Sequence, residues 1–225
     1  MKIIDFHSHI LPGVDHGCDS LETSLGQLEL SKRANVDIII ATPHFYPHMH
    51  TLASFFKKRE RAFTELSARS GVKIIRGAEV LLCDNLQNLD GINSLCIEGT
   101  RTLLIELPFS PFKDSYADTV EDLIDDGYKI VLAHAERYLR SSIERLLELG
   151  VGIQLNASAV SRLFVKKHIR KWLADGDVVA LGSDIHMLDK KSYADLATAR
   201  KKLGSDFDII MQKSMEYLAP ELLHV

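Results

Sequence analysis

Short runs of apolar residues alternate along the chain with longer segments in which apolar residues recur at helical spacing. The runs are rich in Ile, Val and Leu, a composition typical of strands in a parallel sheet covered by helices. They predict seven strands, at residues 3–6, 37–42, 72–79, 102–106, 129–134, 151–156 and 178–184. The segments between them predict helices at residues 19–34, 51–70, 115–126, 141–149, 166–172, 190–203 and 208–218, with short elements and loops over 80–102.

Residues that favour helix ends stand at several of the predicted boundaries. Asp19 or Ser20 can cap the first helix, and the spacing Ser141-x-x-Glu144 predicts a capping box on the fourth. Gly127 follows the third helix, a position where glycine is common.

The alternation of strands and helices predicts an α/β protein with a parallel sheet. Either a doubly wound sheet or a closed barrel fits this pattern. No G-x-G-x-x-G motif follows the first strand, which disfavours a dinucleotide-binding fold. No linker or repeat divides the chain, so we expect one domain over residues 1–225.

Composition narrows the classes of protein to which the chain can belong. Its 225 residues are 46% hydrophobic, which suffices for a substantial core. The net charge of −4 argues against a nucleic-acid binder, whose surface should be basic. The three cysteines form no C-x-x-C pair, and neither a signal segment nor an apolar run of membrane-spanning length occurs. We therefore expect a cytoplasmic protein that binds no nucleic acid and does not insert in a membrane.

Six of the seven predicted strands end in a residue that binds metals or accepts protons, and the remaining strand ends in Asn156, a weaker candidate. His7 and His9 are two positions apart on a strand and therefore point to the same face. The carboxyl ends of parallel strands lie at one face of the fold, where distant residues converge. The candidates are His7, His9, His44, Glu79, Glu106, His134, Asp184 and His186. His224, outside these motifs, is assigned to the surface.

This combination of side chains predicts a catalytic metal centre. Imidazoles and carboxylates without thiolates suit Mn, Fe, Co or Zn. A catalytic zinc takes three protein ligands, so this many candidates predict two or three ions with a bridging carboxylate. Clustered cations generate hydroxide from water and hold anionic oxygens, which is typical of phosphate ester hydrolysis. Arg137, three residues after His134, carries a guanidinium that can grip a phosphate with two hydrogen bonds.

Other hydrolytic signatures are absent from the sequence. Cysteine-dependent tyrosine phosphatases need Cys-x5-Arg, and none of the three cysteines has arginine six positions later. Neither a Walker phosphate loop nor a G-x-S-x-G nucleophile elbow occurs.

Six motifs resemble, in order, those of the polymerase and histidinol phosphatase (PHP) superfamily. They are His7-Ser8-His9, Thr42-Pro43-His44, Gly77-Ala78-Glu79, Ile105-Glu106, His134-Ala135-Glu136-Arg137-Tyr138 and Ser183-Asp184-Ile185-His186. Within this superfamily the chain resembles the bacterial capsule-type protein tyrosine phosphatases, most clearly in ILPGVD and HAERY. The resemblance implies a single α/β domain, folded as a distorted seven-stranded TIM-like (β/α)7 barrel, with a trinuclear and usually manganese-dependent centre.

The resemblance also implies how three ions share the ligands. His7, His9, Glu79 and Asp184 would hold one ion; Glu79, Glu106 and His134 the second; His44 and His186 the third, with help from the loop after the first strand. The family usually has Asp-Asp-Gly in that loop, where this chain has Asp15-His16-Gly17. His16 therefore stands where a liganding Asp is expected, and Asp15 is left to support the ligands or to assist proton transfer.

The function implied by the resemblance is metal-dependent hydrolysis of phosphotyrosine in a protein. The expected partner is the tail of a bacterial tyrosine autokinase that controls capsule or exopolysaccharide synthesis. Two other enzymes remain open: a phosphatase for histidinol phosphate or another small molecule, and a nuclease-like relative. A non-catalytic regulatory module of the same fold is a further alternative, but an idle site need not retain so many ionisable residues.

Overall fold

The computed structural model describes residues 1–223, and His224, assigned above to the surface, lies outside the described residues. Within residues 1–223 the chain forms nine strands and eight α-helices. The strands are Ile4–Ser8 (β1), Ile38–Ala41 (β2), His44–Phe45 (β3), Lys73–Arg76 (β4), Glu79–Leu81 (β5), Thr102–Glu106 (β6), Lys129–Leu132 (β7), Gly152–Asn156 (β8) and Val178–Gly182 (β9). The helices are Leu21–Arg33 (α1), Leu52–Ser67 (α2), Asp114–Asp125 (α3), Arg140–Glu148 (α4), Ala157–Ser161 (α5), Lys167–Asp175 (α6), Lys190–Leu203 (α7) and Ser205–Glu216 (α8).

The strands form two sheets, and every pair of neighbours is parallel. One sheet has the order β1-β2-β4 and the other β3-β5-β6-β7-β8-β9. The carboxyl end of β1 approaches the segment that follows β9: the Asp184 amide donates to the His7 carbonyl at 2.8 Å, and the His9 amide donates to the Ile185 carbonyl at 3.3 Å. The prediction of an α/β fold with parallel strands and covering helices is confirmed.

One predicted strand is divided in the structure: the segment 72–79 contains β4 and reaches the start of β5, which lies in the other sheet. The predicted strand at 37–42 corresponds to β2, and the short strand β3 of the other sheet, which follows it, was not predicted. Pro43 has no N–H to donate to a ladder, which favours a break at that point. At Gly77 an added Cβ would lie 3.3 Å from Ile40 Cγ2, so glycine permits the two segments to pack closely where the chain changes sheets.

Apolar burial explains why the runs form strands. Ile38–Ala41 of β2 and Leu103–Ile105 of β6 are completely inaccessible to solvent. Helices cover the sheets; α2, for example, buries Phe55, Ala62 and Leu66. Burial of each large apolar side chain contributes about 1.5–3 kcal/mol. The resulting core holds the strand ends, and the polar residues on them, in a fixed arrangement.

Most predicted helix boundaries agree with the structure, but the capping box does not. Ser20 caps α1 and accepts a hydrogen bond from the Thr23 amide. The predicted box at Ser141 and Glu144 is wrong, because α4 already begins at Arg140 and Ser141 lies inside it. Glu144 pairs with the Arg140 guanidinium one turn earlier instead of reaching a backbone amide.

Three short helical elements were also not predicted from the sequence. They are α5 and two 3-10 helices, Ala135–Arg137 after β7 and Pro220–Leu223 after α8. All three are too short for hydrophobic periodicity to reveal them. Among the helices of residues 1–223, none combines the length and the apolar character needed to cross a membrane.

Candidate metal centre

The structure brings the predicted ligands together at the carboxyl ends of the strands. His7 lies on β1 and Glu106 ends β6, while His44 and Glu79 pair in register at the starts of β3 and β5. His134 lies just beyond β7. Asp184 and His186 follow β9, and His9 follows β1. Apart from His186, all of these residues are buried. We call this group the metal cluster; its members are His7, His9, His44, Glu79, Glu106, His134, Asp184 and His186.

Glu79 lies at the middle of the metal cluster and is completely buried. Its Oε2 atom is 3.2 Å from Nε2 of both His7 and His9, and 3.0 Å from Nδ1 of His44. Its Oε1 atom is 2.7 Å from Nε2 of His134. One carboxylate therefore faces four imidazoles, the position expected of a group that bridges neighbouring ions.

Hydrogen bonds on the far side of two rings orient their Nε2 atoms toward the cluster. His7 Nδ1 lies 3.1 Å from Gln154 Oε1, and His9 Nδ1 lies 2.7 Å from Asp15 Oδ2. Because both partners are acceptors, each Nδ1 carries a proton, and a neutral ring then offers the lone pair of Nε2 to a metal ion. The two Nε2 atoms are only 3.0 Å apart. When both rings are neutral, two lone pairs at this distance repel each other unless a cation lies against both, so a proton or a metal ion is required between them.

Other ligand atoms in the cluster also lack hydrogen-bond partners. Within the described residues, these buried unpaired atoms are His44 Nδ1, Glu79 Oε2, Glu106 Oε1 and His186 Nε2. Buried polar atoms are almost always paired, so unpaired atoms converging in one place require an explanation. Divalent ions would satisfy these atoms, and the donor set fits such ions. Three groups of ligand atoms lie within 4.8 Å of one another: His9, His44 and His186; His7, His9 and Glu79; and His44, Glu79 and Glu106.

The charges of the cluster shift the pKa values of its members. Burial alone would lower the pKa of His7, but the charges of Glu79 and Asp184 outweigh it and raise that pKa. For His44, burial is likewise outweighed by the carboxylates of Glu106 and Glu79, which raise its pKa to about 9. Burial would raise the pKa of Glu79, but the surrounding histidines lower it far below its usual value. The site is thus strongly attractive to cations, and metal ions compete with protons for the imidazoles.

His134 and Asp184 have unusual backbone conformations. Their φ angles are +35° and +48°, in the left-handed region that non-glycine residues seldom occupy. The Asp184 carboxylate accepts a hydrogen bond from Asn156 Nδ2 at 2.8 Å and forms an ion pair with Arg137. Strained residues of this kind persist where surrounding contacts hold them, commonly at functional sites.

The loop after β1 separates the roles of Asp15 and His16. Both Asp15 oxygens are engaged: one accepts from His9 Nδ1 and from the His44 amide, the other from the Gly17 amide. His16 is exposed, and its ring stacks on those of His44 and His186, with centroid distances of 4.6 Å and 4.9 Å. His16 belongs to none of the three close groups of ligand atoms.

Close contact with His9 requires a glycine at one position of this loop. An added Cβ on Gly17 would lie 2.4 Å from His9 Cβ and 2.6 Å from the His9 carbonyl oxygen. Gly13 has a φ of +66°, which makes the turn that starts the loop. The loop can therefore return against His9 only with these glycines in place.

Arg137, predicted to grip phosphate, lies at the rim of the metal cluster. Its side chain is 52% exposed, and Nη2 contacts Asp184 Oδ2. It lies where two hollows meet, one of about 370 Å³ and one of about 300 Å³, and it lines both. A guanidinium at this place can reach a group held over the cluster.

Sequence reasoning missed Gln154, which supports three residues of the site. Its Oε1 atom accepts from the His134 amide at 2.7 Å as well as from His7, and its Nε2 donates to Asn156 Oδ1. Gln154 is completely buried on β8. The available signal was a polar residue inside an otherwise apolar run, since a buried strand has no reason to hold a glutamine without partners.

Comparisons with known proteins agree over almost the whole chain. The family model "Capsular polysaccharide synthesis, CpsB/CapC" matches residues 3–219. The tyrosine-protein phosphatase CpsB of Streptococcus agalactiae serotype V is 29% identical over 222 residues, covering 91% of both chains. The tyrosine-protein phosphatase YwqE of Bacillus subtilis is 25% identical over 237 residues, covering 96% of this chain and 91% of YwqE.

A solved structure shares the fold. It comes from work on YwqE of Bacillus subtilis and CpsB of Streptococcus pneumoniae, described as unique metal-dependent tyrosine phosphatases. The TM-score is 0.79 at 24% identity, and the match covers 96% of this chain and 94% of the other.

Proposed function

This chain belongs to the CpsB/CapC family of capsular polysaccharide synthesis proteins, and on this premise we propose that it is a metal-dependent protein tyrosine phosphatase. The observation that carries the proposal is the convergence of unpaired ligand atoms around Glu79, with the His7 and His9 Nε2 atoms 3.0 Å apart. The relatives named as tyrosine phosphatases support the same activity.

We assign the metal cluster to two or three divalent ions. Glu79 would bridge two ions. His7, His9 and Asp184 would hold the first ion, and His134 and Glu106 the second. His44 and His186 would hold the third together with His16. The donor set suits manganese, and iron, cobalt and zinc bind the same side chains. We further propose that both sheets close into one distorted seven-stranded TIM-like barrel, in which β2 with β3 and β4 with β5 each count as one strand, and that the chain acts as a single domain. The bonds between the ends of β1 and β9, and the family match over residues 3–219, support this.

In the proposed reaction the protein orients the ligands and the substrate. Bound divalent ions would supply hydroxide at neutral pH and neutralise charge on the phosphoryl oxygens. Gln154 and Asp15 keep the Nε2 atoms of His7 and His9 directed into the cluster. Arg137 donates hydrogen bonds to phosphoryl oxygens, and these strengthen as negative charge develops. Asp15 holds the His9 ring in place: burial would raise the pKa of its carboxyl, but the hydrogen bonds from His9, the His44 amide and the Gly17 amide lower that pKa far below its usual value, so the carboxylate stays ionised.

The substrate proposed is phosphotyrosine in a protein, and the bacterial tyrosine kinase that controls capsule synthesis is the proposed partner. The description of the family supports the connection with capsule. We place the reaction in the cytoplasm, because the free thiols of Cys18, Cys83 and Cys96 fit a reducing compartment.

Metal removal tests the proposed function directly. Chelation should abolish hydrolysis of a phosphotyrosine peptide, and manganese, cobalt or iron should restore it. Histidinol phosphate, assayed beside the peptide, should be a much poorer substrate. Full activity in protein shown by elemental analysis to be metal-free would contradict the proposal.

His16 provides a second test, of the third ion. His16→Ala should lose one ion per chain and most turnover, because His44 and His186 alone hold an ion weakly. His16→Asp should keep activity and shift preference toward manganese, since a carboxylate favours harder ions. Metal content and activity with each ion are measured. His168→Ala is the histidine control, because His168 lies on α6, packs against Trp172 and belongs to none of the groups of ligand atoms. An unchanged metal count in His16→Ala would show that the third ion is held without this residue.

A further inference from the structure

A cavity of about 370 Å³ lies directly beside the metal cluster. Glu106, His134 and Arg137 form part of its lining, so the cavity opens onto the catalytic centre. The rest of its wall comes from the loop after β6, the start of α3 and the segment after His134. A cavity of about 150 Å³ accommodates benzene, so this one has room for a phenyl ring and for the substrate atoms next to it.

The wall away from the cluster is apolar and aromatic. Phe112 and Tyr116 pack edge to face with ring centroids 6.0 Å apart, and both line the cavity. At the mouth, the side chains of Phe109 and Leu139 are almost without contacts, at 105% and 74% exposure. Large apolar side chains left exposed beside a catalytic centre indicate a surface that an apolar ligand covers.

The second hollow that Arg137 lines has a different character. Its lining holds the cations Arg137, Arg162 and Lys166 with the carboxylate of Glu136, so it carries a net positive charge where the first cavity is largely apolar. Arg137 stands at the junction of the two. A phosphate gripped by Arg137 would therefore have an apolar surface on one side and a cationic one on the other.

We propose that the apolar cavity binds the phenyl ring of phosphotyrosine and makes the enzyme select aryl over alkyl phosphate esters. This inference rests on the proposed function and names the specificity of that same site. The ring enters between Phe109 and Leu139 and stacks in the aromatic part of the cavity, while the phosphate at its end meets Arg137 and the metal cluster. Serine or small alkyl phosphates reach the same cluster without filling the cavity.

The test uses two peptides of the same sequence that differ only in carrying phosphotyrosine or phosphoserine. In the metal-loaded protein, Phe109→Ala and Leu139→Ala should each lower kcat/KM for the phosphotyrosine peptide roughly tenfold. The double variant should lose on the order of a hundredfold, and kcat/KM for the phosphoserine peptide should stay within about twofold. Comparing each variant with wild type on the same peptide removes the different intrinsic reactivity of the two esters. Ile209→Ala, an exposed apolar residue on α8, is the control and should change neither value.

A binding measurement separates this inference from the phosphatase proposal. Benzylphosphonate should bind more tightly than methylphosphonate in calorimetry, and the double variant should remove that difference. If the double variant lowers kcat/KM equally for both peptides, or for neither, the cavity does not select the ring and the inference is overturned. If the wild type hydrolyses neither peptide, the phosphatase proposal fails instead, and the phosphonate difference still decides the role of the cavity.

Discussion

Glu79→Gln is expected to remove at least one bound ion and to lower phosphatase turnover below detection. The substitution keeps the size of the side chain but removes the charge that faces His7, His9, His44 and His134. Changing a residue that merely orients a ligand typically costs about 10–100-fold in metal affinity. Loss of a carboxylate whose two oxygens lie within 3.2 Å of four imidazoles should cost more than that.

The measurements are metal content per chain and turnover of a phosphotyrosine peptide, with circular dichroism to verify the fold. Glu98→Gln is the matched control, because Glu98 forms an ion pair with Arg76 and neither residue belongs to the metal cluster. It should affect stability slightly and leave metal content unchanged. Full metal content and turnover in Glu79→Gln would refute the bridging role of this carboxylate.

The positions of most strands along the chain could be predicted because each strand carries its own signal. Runs such as Ile38–Ala41 are continuous and apolar, and parallel strands buried on both faces need such runs. Convergence of distant residues then follows from the fold: His7 and Asp184 lie near opposite ends of the chain, yet His7 Nε2 is 3.6 Å from Asp184 Oδ1. Whether each converging residue holds metal remains a prediction.

Features that depend on tertiary contacts could not be predicted. The division of the strand at residues 72–79 follows from the close packing of Gly77 against Ile40, which only the folded chain shows. The prediction of a capping box was wrong because the Glu144 carboxylate accepts a hydrogen bond from Arg140, four residues earlier, instead of from a backbone amide. Gln154 could be recognised as a polar residue in an apolar strand, but its partners, His7 and the His134 amide, lie on other segments of the chain and could not be identified from the sequence.

The roles of Asp15 and His16 could not be predicted from the sequence alone either. The two residues are adjacent in one loop, and only the resemblance to the family indicated which of them is the metal ligand. In the structure, three donors occupy the Asp15 carboxylate, whereas the His16 ring stacks on two histidines of the cluster. These contacts fit Asp15 as the residue that orients His9, and the role of His16 as a ligand remains a prediction.

Arg137→Ala is expected to lower kcat/KM for a phosphotyrosine peptide by a factor equivalent to about 2–4 kcal/mol, the usual cost of one preorganised donor to a developing negative charge. Arg137 contacts Asp184 at the rim of the cluster and is half exposed, so its removal should leave the fold and the other ligands in place. Arg137→Lys should recover little, because an ammonium cannot replace two parallel hydrogen bonds from a planar guanidinium.

Metal content must be measured in each Arg137 variant, since Arg137 shares Asp184 with the proposed first ion. Arg140→Ala is the matched control: Arg140 is similarly exposed, lies three residues away and pairs only with Glu144 among the described residues, so its loss should cost less than about 1 kcal/mol of stability and no activity. A fall in metal content that parallels the fall in turnover would assign Arg137 to holding Asp184 in place. Unchanged turnover in Arg137→Ala with all ions bound would show that other donors grip the phosphate, and the basic hollow that contains Arg162 and Lys166 is where they should then be sought.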